Sequence, residues 1–143
     1  AVHDARPWAR PLALAEQAVA AGDVTRALAA WHDAYGAALG ARRWEGFADT
    51  GDAYLRITRA AGAATSGLPR ARELYLSALF RARDAGSLDG VLRMAGAFEA
   101  LGDHEVTRHA LKMAHHLAAH GATPGQRARL ADLADHPDTI PAF

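Results

Sequence analysis

One cadence recurs at three places along the chain and limits what it can fold into. A small residue is followed four positions later by an aromatic or Leu, and three positions after that by Ala. The instances are Ala27–Trp31–Ala34, Ala71–Tyr75–Ala78 and Thr107–Leu111–Ala114. Spacings of four and three put all three side chains on one stripe of a helix. A small–large–small stripe lets another helix approach closely at both ends while a ring or Leu fills the middle. Gly-Asp steps precede two of the three stretches, at Gly22-Asp23 and Gly102-Asp103. This is the pattern of stacked helical hairpins, an architecture for holding partners rather than for doing chemistry.

The composition points the same way. About a quarter of the residues are Ala, the best helix former, whereas Val, Ile and Thr are scarce, so an all-α fold without a sheet is expected. A chain of 143 residues fits one domain, taken here as 1–143. Lys+Arg and Asp+Glu are both 16, and this balance argues against a nucleic-acid binder and against a polybasic membrane-surface protein. Nearly every cation is Arg, Lys112 excepted, which reads as the codon bias of a GC-rich bacterial genome. There is no Cys, so disulfides, thiolate metal sites and cysteine nucleophiles are excluded. No apolar run approaches the ~20 residues of a membrane span. Ala1-Val2-His3-Asp4 would suit the mature side of a signal cleavage, which leaves a cytoplasmic and a periplasmic or secreted location both open.

Turn and cap signals divide the chain into seven helices. Residues 1–10 read as a lead-in, because Pro7 and Pro11 limit continuous helix. A first helix starts at Pro11, with Leu12, Leu14, Ala15 and Ala18 as its apolar side, and ends at Gly22-Asp23. The second runs from about Val24 to Leu39 and stops at Gly40, and the third from about Ala41 to Ala61. Gly62 to Leu68 reads as a loop, with Pro69 starting the fourth helix, which ends before Gly86. Ser87 or Asp89 caps the fifth, the sixth follows Gly102-Asp103 to about His120, and Thr123-Pro124 starts the seventh. Paired, these give hairpins at about 11–40, 41–86 and 87–121, a capping helix at about 123–135 that covers the exposed end of the stack, and a tail at 136–143. The apolar Ile140-Pro141-Ala142-Phe143 in that tail is suited to packing on its own stack or a neighbour's. Trp31, Trp44, Tyr75 and Phe98 are expected in the interior.

Against this reading, the chain resembles the tetratricopeptide repeat family, whose units are helical hairpins of about 34 residues. Trp44-x-x-Phe47-Ala48 is similar to the first-helix core of that family, with Ala for Gly, and Met94-Ala95-x-x-Phe98 matches the same core. Ala27, Trp31 and Ala34 follow the second-helix pattern, as do Ala71, Tyr75 and Ala78. The third unit has Thr107 and Leu111 in place of Ala and the aromatic, the middle unit carries about ten extra residues before Pro69, and the family's terminal Pro is missing. The resemblance covers about residues 11–120. It implies an α-solenoid of three hairpins whose first helices line a concave, peptide-binding surface.

The faces of those first helices next to the packing stripe read Leu12–Glu16–Val19, then Glu45–Asp49–Asp52–Arg56, then Asp89–Leu92–Glu99, with Arg42 beside the second. Carboxylates dominate. If these faces form the implied groove, it favours basic partners and disfavours anionic ones, with Leu12, Val19 and Leu92 as apolar anchors. The bland reading of the same residues is ordinary solvated positions on short helices.

Chemical motifs are few. Asp49-Thr50-Gly51 matches the aspartic-protease triplet but lies within helical periodicity, with no strands to hold it. His136-Pro137-Asp138 matches the tripeptide of J-domain co-chaperones but has too little chain after it for a second helix. Five of eight histidines fall between His104 and His120. His109, His116 and His120 share one side of the sixth helix with Glu105, and His116 and His120 have the four-residue spacing by which two imidazoles share a metal. A wet outer face is the favoured reading of these histidines, and no cofactor is expected. The leading expectation is therefore a non-enzymatic module that docks a segment of another protein, with self-association open. The rivals are a metal-binding role for the sixth helix and a regulatory repeat domain of a longer chain.

Overall fold

The computed structural model describes residues 6–135. His136-Pro137-Asp138, the apolar tail and Ala1-Val2-His3-Asp4 lie outside the described residues. Among the described residues there are seven α-helices and no strand. They are α1 (Ala9–Ala20), α2 (Val24–Ala41), α3 (Trp44–Ala60), α4 (Ala64–Asp84), α5 (Leu88–Leu101), α6 (His104–Ala118) and α7 (Pro124–Ala134). The chain gathers into two compact units, residues 1–78 and 79–143.

Most of the joints are variations on one turn. After α1, Gly22 takes φ +77°, its N–H bonding to the carbonyl of Val19 while the Asp23 N–H reaches Ala18. That pair of bonds closes the helix end, and only a residue without Cβ adopts the left-handed conformation at no cost. Asp23 then caps α2 by accepting from the Arg26 N–H at 3.0 Å. The same closure follows α3 at Gly62, α4 at Gly86 and α5 at Gly102, with Ser87 capping α5 and Asp103 capping α6. The joint between α2 and α3 differs. Helix α2 runs through Gly40 to Ala41, and Arg42 rather than a Gly takes the left-handed position at φ +59°.

In the first unit α1 packs on α2, α2 on α3, and α1 also touches α3. The stripe Ala27–Trp31–Ala34 is fully buried, and the Trp31 indole N–H donates to the carbonyl of Thr50 on α3 at 2.8 Å. Trp8 is buried completely, at the first turn of α1, against Ala34 and Ala38, with Leu12 packed beside it. The lead-in expected over 1–10 thus ends earlier, and Pro11 sits within α1 rather than at its start. Leu14 points outward and is 54% exposed, so it does not belong to the apolar side of α1. Trp44 is only half-buried, whereas Trp31, Tyr75 and Phe98 are buried.

Helix α4 starts five residues before Pro69, at Ala64, so the loop expected from Gly62 to Leu68 shrinks to 61–63. Gly67 explains the difference: it is buried against Thr58, where any Cβ would collide with the Thr side chain. What reads as loop composition is a helix start pressed onto α3. Pro69 costs that helix one N–H within its second turn.

In the second unit α5 packs on α6, and α7 closes over both. Val91, Met94, Ala95 and Phe98 of α5, Ala110, Leu111 and Ala114 of α6, and Leu130 and Leu133 of α7 are all buried. Thr123 and Gln126 form a reciprocal capping box at the start of α7, which matches the expected Thr-Pro start.

Candidate interaction surface

On α3 the residues Glu45, Asp49, Asp52 and Arg56 follow three- and four-residue spacing and share one side of the helix. Because α1 touches α3, the α1 residues of the same stripe come within reach of them. The Arg56 Nε donates to Glu16 Oε2 at 2.6 Å, and its Nη2 pairs with the same oxygen. The indole N–H of Trp8 donates to Asp49 Oδ2 at 2.8 Å, with Arg6 Nη1 3.7 Å from that oxygen. The Tyr75 hydroxyl donates to Asp52 Oδ1. Glu45 lies 3.7 Å from Arg43 Nε.

Each of these four carboxylates therefore has a partner inside the unit. Two of them serve buried aromatics: an indole N–H or phenol O–H taken from water needs an acceptor, and Asp49 and Asp52 supply it. The Glu16–Arg56 pair is different, with both side chains more than 40% exposed, and contributes about 0–1 kcal/mol. The stripe is thus charge-matched rather than uniformly acidic, which its sequence does not reveal. Leu12 and Val19 are half-buried and Arg42 is exposed at its turn.

In the second unit Asp89 is exposed and accepts from Gln126 Nε2 at 2.8 Å, while Glu99 is half-buried. Leu92 is buried, so it serves as floor rather than as an open anchor. A cleft of about 500 Å³ opens there between α5 and α7, with Arg93 and Arg129 on its walls as well as Asp89. The guanidinium of Arg129 lies across Gly96, whose missing side chain makes room for it. This cleft carries both signs of charge.

The histidines stand on an exposed side of α6 and its closing turn. The rings of His116 and His120 are 5.4 Å apart, edge to face. Among the described residues no three His, Asp or Glu side chains converge on a point where a metal could sit, and His109 joins no such group. The Asp49-Thr50-Gly51 triplet is spent on holding α3 together and on packing it against its neighbours. Asp49 holds Trp8, Thr50 donates its hydroxyl to the carbonyl of Gly46, and Gly51 lies under the Tyr75 ring.

Two features of the first unit escape the sequence reading. Trp8 is one, although Trp8, Leu12 and Ala15 repeat the four-and-three cadence and could have flagged it. The other is a groove of about 460 Å³ between α1 and α2, with Leu14, Ala18, Ala21, Ala29 and Ala30 in its lining. Its Ala-rich walls look like a core face in sequence. Comparison with known proteins finds no matching family model, no matching curated protein and no matching solved structure.

Proposed function

We propose that this chain is a non-enzymatic protein-interaction module, an α-solenoid of three tetratricopeptide-like hairpins closed by α7, which docks a segment of another protein. The observation that carries the reading is the use made of the three repeated stripes. Ala27–Trp31–Ala34, Ala71–Tyr75–Ala78 and Thr107–Leu111–Ala114 are all buried between helices joined by short turns. The residues of each stripe are spent on packing helix against helix, and on the proposed arrangement the polar groups of the first-helix faces remain accessible to a partner.

The pairing of the carboxylates refines what a partner does there. A basic segment gains by taking over acceptors that arginines of the chain now hold, above all Glu16 from the exposed Arg56 and Glu45 from the half-buried Arg43. Asp49 and Asp52 are committed to Trp8 and Tyr75 and are poor places to test binding, since changing them disturbs the fold. A peptide library screened at low salt against the protein and against a Glu16→Gln, Glu45→Gln variant tests the proposal. Basic hits that weaken severalfold in the variant, and weaken again as salt rises, support it. Enrichment of acidic peptides, or hits indifferent to both changes, would overturn it. The metal-binding alternative rests on the closeness of His116 to His120. It replaces this reading if the purified protein carries stoichiometric metal that is lost on His116→Ala.

A further inference from the structure

We infer that the groove between α1 and α2 is the seat of a second copy of this chain, docked about a twofold axis that passes near Ala29 and Ala30. The inference is independent of the partner proposed above and rests on a different face. Helix α2 lines the groove with Arg26, Ala29, Ala30 and Asp33, and α1 contributes Leu14 and Ala18. Positions 26, 29, 30 and 33 follow the i, i+3, i+4, i+7 spacing of a stripe that meets another helix. Within the first unit its lining comes from α1, α2 and the turn between them, and Leu14, Arg26, Ala29 and Asp33 in that lining are exposed.

The charges at the two ends of the stripe identify the occupant. Arg26 and Asp33 are both exposed, and neither belongs to an ion pair among the described residues. They cannot satisfy each other, because seven residues of helix separate them by roughly 10 Å. They lie equally far on either side of the Ala29–Ala30 midpoint. An antiparallel second copy of α2, centred on that midpoint, sets each Arg26 opposite the other copy's Asp33 and each Asp33 opposite the other's Arg26. Ala29 and Ala30 then face their own counterparts, and such small residues let two helix axes come within about 8 Å. Leu14, more than half exposed on the flanking helix, is placed to enter the partner's groove beside Ala18. A surface that complements itself in charge and in shape is what an isologous interface requires.

The experiment is sedimentation equilibrium over a wide concentration range at low salt. The wild-type protein should rise from 15.1 kDa toward twice that mass. Arg26→Asp and Asp33→Arg should each weaken the dimer about tenfold or more, since twofold symmetry counts every substitution twice and turns attraction into repulsion. An equimolar mixture of those two variants should associate again as a heterodimer, and the double swap Arg26→Asp, Asp33→Arg should restore the homodimer. Leu14→Glu should weaken association without restoration by either swap. All three positions are exposed, so far-UV circular dichroism should be unchanged in every variant. A wild-type chain that remains monomeric throughout would overturn the inference. So would a dimer indifferent to Arg26→Asp and Leu14→Glu, or a mixture of the charge variants that fails to associate.

Discussion

Replacing Trp8 with Ala separates the packing described here from a chain in which the first ten residues are a mere lead-in. The indole is completely buried, and its neighbours Ala34, Ala38 and Gly46 are too small and too fixed to close the space it leaves. Truncating a buried large aromatic costs about 3–5 kcal/mol, and a site that cannot collapse belongs toward the upper end. The lost bond to Asp49 adds little, because that carboxylate is partly exposed and keeps Arg6 nearby. For a chain of this size the loss corresponds to a melting temperature lower by roughly 10–17 °C. Trp8→Phe keeps a ring in the site and leaves a much smaller cavity, so it should cost about 1–2 kcal/mol. The chain's three tryptophans, Trp8, Trp31 and Trp44, all lie in the first unit, so intrinsic fluorescence during urea unfolding follows that unit alone. The midpoint should fall with the slope unchanged. Trp44→Ala, at a half-buried position, should cost less than Trp8→Ala. A Trp8→Ala cost below about 1 kcal/mol, or the reverse order of the two tryptophans, would refute the reasoning.

Three further substitutions test the contacts of α3 with α4. Gly51→Ala should destabilise by about 1–3 kcal/mol although Ala is the better helix former, because the new Cβ would stand 2.7 Å from the Tyr75 ring; a gain in stability in thermal or urea unfolding would show the contact to be looser. Tyr75→Phe and Asp52→Asn should each cost about 1 kcal/mol and together less than their sum, and a double-mutant cycle with no coupling would show that the hydroxyl does not depend on Asp52.

The parts of this fold that sequence reveals are those fixed by local spacing. Ala27, Trp31 and Ala34 announce a buried helix stripe because three residues at helical period must share a face. Gly22-Asp23 and Gly102-Asp103 announce turns because φ near +77° suits Gly and an N-cap suits Asp. What escapes is set across long separations. Glu16 and Arg56 are 40 residues apart, and Trp8 and Asp49 are 41, so the helical period of neither segment shows that an acidic-looking stripe is internally matched. Trp8 is hidden further by Pro7 and Pro11, which argue against helix on both sides although Pro fits a first turn well. The stretch from Gly62 to Leu68 misleads in the other direction. Its Gly, Ser and Thr suggest a loop, yet Gly67 is there because α4 must pass close over Thr58.

The repeated turn closure has a consequence for how such a protein can change. The joints at 21–23, 42–43, 61–63, 85–87, 102–103 and 119–123 contain between two and five residues. At 21–23, 61–63, 85–87 and 102–103 a single residue often serves both ends at once: the N–H of Asp23, Ser87 or Asp103 closes one helix while the side chain caps the next. An insertion at such a joint would break both arrangements together. On the proposed interaction function, new specificity is therefore more accessible by exchanging side chains on the exposed helix faces than by growing a loop, and a library that varies those faces with every joint held constant is the economical test of that.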